Sequence, residues 1–241
     1  MVSLYRCFAL MTIPPNKILA IETSSEMCSV AASVGDQVVS RHVMAGQTHS
    51  QIILPLIDEL MVELGISIND IELIGFGAGP GSFTGLRIGC GVAQGLGFSI
   101  GCRLIPVNSM IAMAQMTGKT KIVVCIDARM KQVYNGAYVF EANRWIEVIA
   151  ANVSNPDEVP PLPGEGWAGC GTGFLAYAEV LRGQYGEVVS LVSQDLFVPN
   201  ALSVLKLTVS GFEDGLAVEP ENALPLYVRD KVALTLEEQG R

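Results

Sequence analysis

The chain has 241 residues, 50% of them hydrophobic and 16% charged, which excludes a disordered chain and allows one large domain or two small ones. Its net charge of −9 and its scattered Lys and Arg residues make it a poor candidate for gripping a nucleic-acid backbone by itself. His42 and His49 are the only histidines, so no HExxH motif or comparable His–carboxylate pairing can be written, and no metal site is predicted.

The N-terminal residues 1–16 hold one arginine, a weak apolar stretch and a proline pair, without a clear cleavage site for a signal peptide. We therefore predict a disordered leader, or a true start at Met11. The longest low-charge stretch, residues 88–102, is too short and too rich in glycine to span a bilayer. The six cysteines show no CxxC spacing and are expected to be buried free thiols. These features predict a soluble, cytoplasmic protein that does not contact a membrane.

The first two predicted strands, residues 17–22 and 29–34, resemble a later pair at residues 122–127 and 134–139. Glu22 matches Asp127 and Val34 matches Val139, at one constant offset of 105 residues. In both copies a β-branched run ends in a carboxylate and the chain then turns back. The pattern predicts an internal duplication, and thus an α/β protein with two lobes of ribonuclease-H-like architecture.

The remaining elements follow in chain order. The first half continues with strands at 37–44, 71–77 and 103–107 and helices at 51–64, 83–99 and 109–117. The second half is less regular, with a proline-rich loop at 159–164, a glycine-rich turn at 169–173 and a helix at 174–185. A break near residues 117–120 divides the chain. The predicted domains are the leader (1–16), an N-terminal lobe with the partner-binding helices (17–118) and a smaller, degenerate C-terminal lobe (119–241).

The helix predicted over residues 51–64 has an apolar face wider than the roughly 100° that a surface helix usually needs. Leu54 and Val62 extend the apolar area beyond the main stripe. So wide an apolar face favours burial against a partner protein. We therefore predict a partner interface on this helix, formed by Ile53, Ile57, Leu60, Met61 and Leu64.

A glycine-rich segment, residues 77–89, follows a strand and begins the next helix. Backbone N–H groups at a helix start can hold an anion, and Gly79, Gly81 and Ser82 are the candidates here. The segment is neither GxGxxG nor a P-loop, because no Lys-Ser/Thr pair follows. A tight turn in which Ser82 or Thr84 caps the helix is an equally good interpretation.

Small residues recur every four positions in the helix predicted over residues 83–99. Each interior glycine costs about 1 kcal/mol relative to alanine, so several in one helix need an offsetting gain. Such a stripe lets another helix approach closely, either from a partner or within the same domain. We predict that the partner interface continues here, and that a charge at Ile57 or Gly89 abolishes pairing. The stripe consists of Gly85, Gly89, Ala93 and Gly97, with Gly91 and Gly95 between them.

Glu22 and Asp127 end their strands where actin-like ATPases keep acidic residues for metal and nucleotide. The residues after Asp127 lack the glycines that a phosphate-binding hairpin needs. Capping of the turns by these carboxylates is the competing interpretation. Asp127 is thus a weak candidate for nucleotide binding, and no catalytic residue or cofactor is predicted.

Several segments resemble the TsaB (YeaZ) family, in order, over about residues 16–230. They are residues 18–25, 48–50, 77–89, 126–129 and 225–229. The resemblance implies an actin-like (ASKHA) fold with two lobes and a non-catalytic subunit that pairs through its N-terminal helices with the catalytic paralogue TsaD. It also implies cooperation with the ATPase TsaE in transferring threonylcarbamoyl to the tRNA adenosine next to the anticodon. Contact with tRNA is expected only through the complex, and a homodimer is expected when the partner is absent.

The catalytic paralogue carries an HxxxH metal motif after its glycine-rich helix, whereas the matching residues 106–113 contain no histidine. The resemblance therefore implies that this chain is not an enzyme. The alternative is a stand-alone actin-like nucleotide hydrolase or protease-like hydrolase. It is motivated by the strand-end carboxylates and by the glycine-rich turns at 77–81 and 169–173.

Overall fold

The computed structural model describes residues 15–229, so most of the predicted leader and the last twelve residues of the predicted C-terminal lobe lie outside the described residues. The described chain forms two five-stranded sheets, A and B. Sheet A has the order β3-β2-β1-β4-β5, in which β1 to β3 are antiparallel and β4 and β5 run parallel to β1. Its strands are β1 (Lys17–Glu22), β2 (Met27–Val34), β3 (Gln37–Met44), β4 (Leu73–Gly79) and β5 (Arg103–Asn108).

Sheet B repeats this arrangement in the order β10-β9-β6-β7-β8, with the antiparallel and parallel pairs in the corresponding places. The predicted duplication and the two-lobed, ribonuclease-H-like, actin-like α/β fold are therefore confirmed. The predicted offset of 105 residues is one residue too long for the second strand of each pair. Glu22 pairs with Ser29 whereas Asp127 pairs with Val133, so the second hairpin is shorter. The strands of sheet B are β6 (Lys121–Asp127), β7 (Val133–Glu141), β8 (Arg144–Ser154), β9 (Trp167–Cys170) and β10 (Val189–Leu191).

Among residues 15–229, six α-helices cover the sheets: α1 (His49–Leu64), α2 (Phe83–Ile100), α3 (Ser109–Met116), α4 (Gly173–Ala176), α5 (Ala178–Tyr185) and α6 (Ala201–Glu213). Helices α1 and α2 pack on one face of sheet A, and α3 and α6 pack on the other. The single helix predicted over residues 174–185 is interrupted at Tyr177, whose backbone is not helical. None of the helices within residues 15–229 combines the length and apolarity needed to cross a membrane.

Within the described part of the predicted C-terminal lobe, residues 119–229, helix α6 departs from the prediction because it returns to sheet A. Its buried residues Ala201, Val204 and Leu205 pack against Ile18 and Leu73. Sheet A has two apolar faces and therefore needs cover on both sides. Helix α3 lies between the two lobes and contributes to the hydrophobic cores of both.

Candidate functional site

The apolar stripe of α1 faces sheet A, which corrects its assignment to a partner interface. The side chains of Ile53, Ile57, Leu60 and Met61 are buried in the core of their own lobe. Leu64 is half-buried and packs against the same core. A partner that meets the lobe as folded has no access to the buried side chains, because the sheet already covers the stripe.

The small-residue stripe of α2 also faces inward. A Cβ atom on Gly85 would overlap the carbonyl oxygen of Thr23, and one on Gly89 would overlap its hydroxyl. A Cβ atom on Gly97 would lie 2.6 Å from Cδ1 of Leu104, which is also too close. Ala93 is fully buried. These residues are small because β1, the turn after it and β5 approach the helix closely, so close packing within the lobe is the correct interpretation of this stripe.

Gly91 and Gly95 lie on the opposite side of α2 and are exposed. No heavy atom among residues 15–229 lies within 4 Å of a Cβ placed on either of them, outside the immediate chain and helix backbone. Each costs about 1 kcal/mol of helix stability relative to alanine, and nothing in the described part of the chain offsets that cost. Phe98 follows on the same side with 61% of its surface exposed.

Helix α1 adds exposed apolar residues to the same layer. Val62 is 82% exposed and Leu54 is 49% exposed, and Pro55 is also exposed. Helices α1 and α2 contact each other on one face of sheet A, so their outer sides lie next to each other. We call these sides together the outer helix face; it consists of Leu54, Pro55, Val62, Gly91, Gly95 and Phe98. Gly91 and Gly95 are the sequence feature from which this face could have been predicted, because they are out of phase with the inner stripe.

The glycine-rich loop after β4 packs against the turn that follows β1. The backbone N–H of Ser82 donates to the carbonyl oxygen of Ser24 at 2.7 Å, and Gly81 lies too close to Ser24 for any side chain. The Ser82 hydroxyl accepts from the N–H of Gly85 at 3.4 Å and caps α2. Gly79 has a φ of +107°, a conformation that favours glycine. This geometry favours the tight capped turn over an anion site.

A cleft between the lobes has a volume of about 870 Å³. Its walls include the glycine-rich loop at Gly81 and Ser82, the β6–β7 turn and the chain at residues 226–229. Asp127 lines this cleft, but its carboxylate accepts from the Arg129 backbone N–H at 2.9 Å, the Arg129 guanidinium at 3.3 Å and the Tyr177 hydroxyl at 3.4 Å. These contacts engage both oxygens of Asp127, which favours its interpretation as a turn cap.

The Glu22 carboxyl is buried beneath the glycine-rich loop and does not face the cleft. It accepts from the Ser24 backbone N–H at 2.6 Å and from the Ser109 hydroxyl at 2.9 Å. Ser109 in turn accepts from the Gly79 N–H at 3.2 Å. Burial raises the pKa of Glu22 above its ordinary value of 4.5, against the lowering effect of these hydrogen bonds.

We expect the Glu22→Gln variant to gain stability relative to the wild type as the pH rises. The raised pKa means that the folded state holds a proton that the unfolded state has lost, so the wild type loses stability as the pH rises from the ordinary carboxyl pKa through the folded one. The free energy of unfolding, measured in urea at pH 5 and pH 8, checks this. A matched Glu221→Gln change at an exposed site is the control. Parallel pH profiles for wild type and Glu22→Gln would contradict the expectation.

The five cysteines among the described residues are buried and free, in agreement with the expectation, and Cys7 lies outside those residues. Burial raises the pKa of the Cys28 and Cys102 thiols to about 11, so both are protonated and unreactive at neutral pH. Within residues 15–229, no three His, Cys, Asp or Glu side chains lie together as a metal-binding group.

Comparisons of the sequence and of the structure with known proteins find related groups of proteins. The model of the family described as "TsaD: tRNA N6-adenosine threonylcarbamoyltransferase" matches residues 38–214. The chain is 35% identical to the tRNA threonylcarbamoyladenosine biosynthesis protein TsaB of Haemophilus influenzae, over 89% of this chain and 94% of that protein. It is 36% identical to the TsaB protein of Escherichia coli, over 90% and 96%. The structure of YeaZ from Pseudomonas aeruginosa superposes with a TM-score of 0.81 at 33% identity, over 88% of this chain and 99% of that one.

Proposed function

The chain belongs to the TsaB (YeaZ) family, and from that premise we propose that it is a non-catalytic subunit in the formation of tRNA N6-threonylcarbamoyladenosine. In this proposal it pairs with a TsaD-like catalytic paralogue and activates it, together with a TsaE-like ATPase. It meets tRNA only through that complex, which its net charge of −9 favours because an acidic surface repels phosphates.

The exposed glycines and apolar side chains of the outer helix face are the main support for the proposed pairing. Two solvent-facing glycines one turn apart let a second helix backbone come close, and the exposed Phe98 on the same helix and Val62 on α1 offer apolar area to bury. A paired partner would supply the gain that offsets the helix stability lost at Gly91 and Gly95. When the paralogue is absent, we expect two copies of the chain to associate through the same face.

The geometry of the carboxylates supports a non-catalytic role. Glu22 is buried away from the cleft, and Asp127 is engaged by donors from its own lobe. The alternative, a stand-alone nucleotide hydrolase or protease-like hydrolase, would need a catalytic carboxylate or a nucleophile with its base at the cleft, and the exposed Glu26 is a further carboxylate that lines it. The cleft itself and the glycine-rich loop at its wall are the features that favour this second function.

Reconstitution of tRNA modification with and without this chain tests the proposal. We expect modified adenosine to form when the TsaD-like protein, the TsaE-like ATPase, threonylcarbamoyl-adenylate and this chain are all present, and to be lost when the chain is omitted. The chain alone is assayed for ATP and peptide hydrolysis as the control. Full modification without the chain, or robust hydrolysis by the chain alone, would contradict the proposed role.

A further inference from the structure

A C-terminal segment, residues 223–229, runs along α2 towards the second lobe; we call it the strap. Its first part is fixed to the first lobe by hydrogen bonds to its backbone, two from side chains of α2 and one with the backbone of β4. The Ala223 carbonyl oxygen accepts from Gln94 Nε2 at 2.9 Å and from the Cys90 thiol at 3.2 Å, and the Leu226 N–H donates to the Ala78 carbonyl oxygen at 2.7 Å. The strap therefore has a set position beside α2.

The strap nevertheless points large apolar side chains at solvent. Leu224 is 64% exposed, Tyr227 is 49% exposed and Leu226 is 41% exposed. Three such residues within four positions, on a backbone held in place, form a concentrated apolar area. Contiguous exposed apolar area on a soluble protein commonly marks a binding surface.

This area adjoins the first turns of α2. The Tyr227 ring lies 5.9 Å from the ring of Phe83, measured between centroids. The Arg87 guanidinium lies 3.7 Å above the Phe83 ring and donates from Nε to the Tyr227 hydroxyl at 3.4 Å. Arg87 is exposed on the side of α2 that leads to Gly91, so the strap borders the outer helix face.

The far end of the strap reaches the second lobe. Arg229 donates to the Gln132 side-chain oxygen at 2.8 Å, and its guanidinium lies 5.7 Å from the centroid of the Tyr134 ring. Both residues belong to the β6–β7 hairpin. The strap thus joins the side of α2 to the opposite wall of the cleft.

We infer that the strap is a second part of the partner surface, and that the protein which packs a helix on Gly91 and Gly95 also covers Leu224, Leu226 and Tyr227. This inference rests on the proposed function, in which the protein that covers the strap is the TsaD-like paralogue. The main support is that the strap borders the outer helix face. A partner whose helix packs on α2 would therefore place its neighbouring segments against the strap. The contact residues of the partner here are apolar, because the strap presents two leucines and an aromatic ring.

The affinity of the full-length chain for the purified TsaD-like paralogue tests the inference by isothermal titration calorimetry. The Leu224→Ser/Tyr227→Ala variant is expected to bind at least about tenfold more weakly, because it removes apolar area from the interface. Leu216→Ser is the matched control, since Leu216 is a similarly exposed leucine (58%) outside the strap. Its affinity is expected to stay within about twofold of the wild type.

The result separates the two proposals. Wild-type affinity of the strap variant, together with loss of binding by a Gly95→Glu variant, would overturn the inference and leave the proposed function standing. Normal binding by Gly95→Glu would instead count against the proposed pairing surface. A photo-crosslinking residue at position 224 or 216 gives a second measurement that does not depend on the folding of the strap variant. Crosslinks to the paralogue from 224 and none from 216 are expected, and the reverse would overturn the inference.

Discussion

Replacing Gly91 and Gly95 together by glutamate is expected to abolish binding to the TsaD-like paralogue, with the affinity falling by more than about a hundredfold. Both glycines are exposed and leave the surface of α2 flat. Two glutamates would hold a partner helix away and place charge in an apolar contact. The fold is expected to survive, because glutamate has a higher helix propensity than glycine and no neighbouring side chain among residues 15–229 blocks its Cβ. Calorimetric titration gives the affinity, and urea denaturation gives the free energy of unfolding.

Alanine provides the matched controls for this pair of glycines. Gly91→Ala with Gly95→Ala should stabilise the free chain by about 2 kcal/mol, because each change removes the cost of one helical glycine. Gly89→Ala should destabilise it, because its Cβ would overlap the Thr23 hydroxyl. If the double glutamate variant bound the paralogue with wild-type affinity, the outer helix face would not be the pairing surface.

The Ile57→Glu variant is expected to unfold, with a loss of about 4 kcal/mol or more in the free energy of unfolding. Ile57 is 2% exposed and lies in the core under sheet A, where a carboxylate finds no partner. Loss of pairing in the Ile57→Glu variant would therefore follow from loss of the fold and would not identify a partner interface. The same holds for Gly89→Glu.

Val62→Glu is the matched control on the same helix. Val62 is 82% exposed, so a carboxylate there remains in water, and the free energy of unfolding should change by no more than about 0.5 kcal/mol. Its effect should appear instead as weaker binding to the paralogue. Circular dichroism during urea denaturation measures both stabilities. A folded Ile57→Glu variant with an unchanged denaturation midpoint would mean that α1 packs differently in solution.

The strands of the first lobe were predictable because their patterns are strong. Strands β1 and β3 begin and end where the apolar runs and turns predict. Strand β8 was missed, since none of its residues is buried and irregular pairing with β7 interrupts its alternation. Strand β10 has three residues, too few for a pattern. Helix α6 was missed although its buried residues, Ala201, Val204, Leu205 and Thr208, have helical spacing.

The duplicated fold and helices α1 and α2 could be predicted from the residues alone, because apolar periodicity and the matching strand pairs are local properties of the chain. The residues also place glycines on two sides of α2. Which side faces outward depends on the packing of the whole lobe, since an apolar or small-residue stripe looks the same whether it meets its own sheet or a partner. Gly85, Gly89 and Gly97 are small because Thr23 and Leu104 leave no room for a side chain, whereas no part of the described chain packs against Gly91 and Gly95 from outside their helix. The buried stripe of α1 follows the same rule, because sheet A was the first apolar surface available to it.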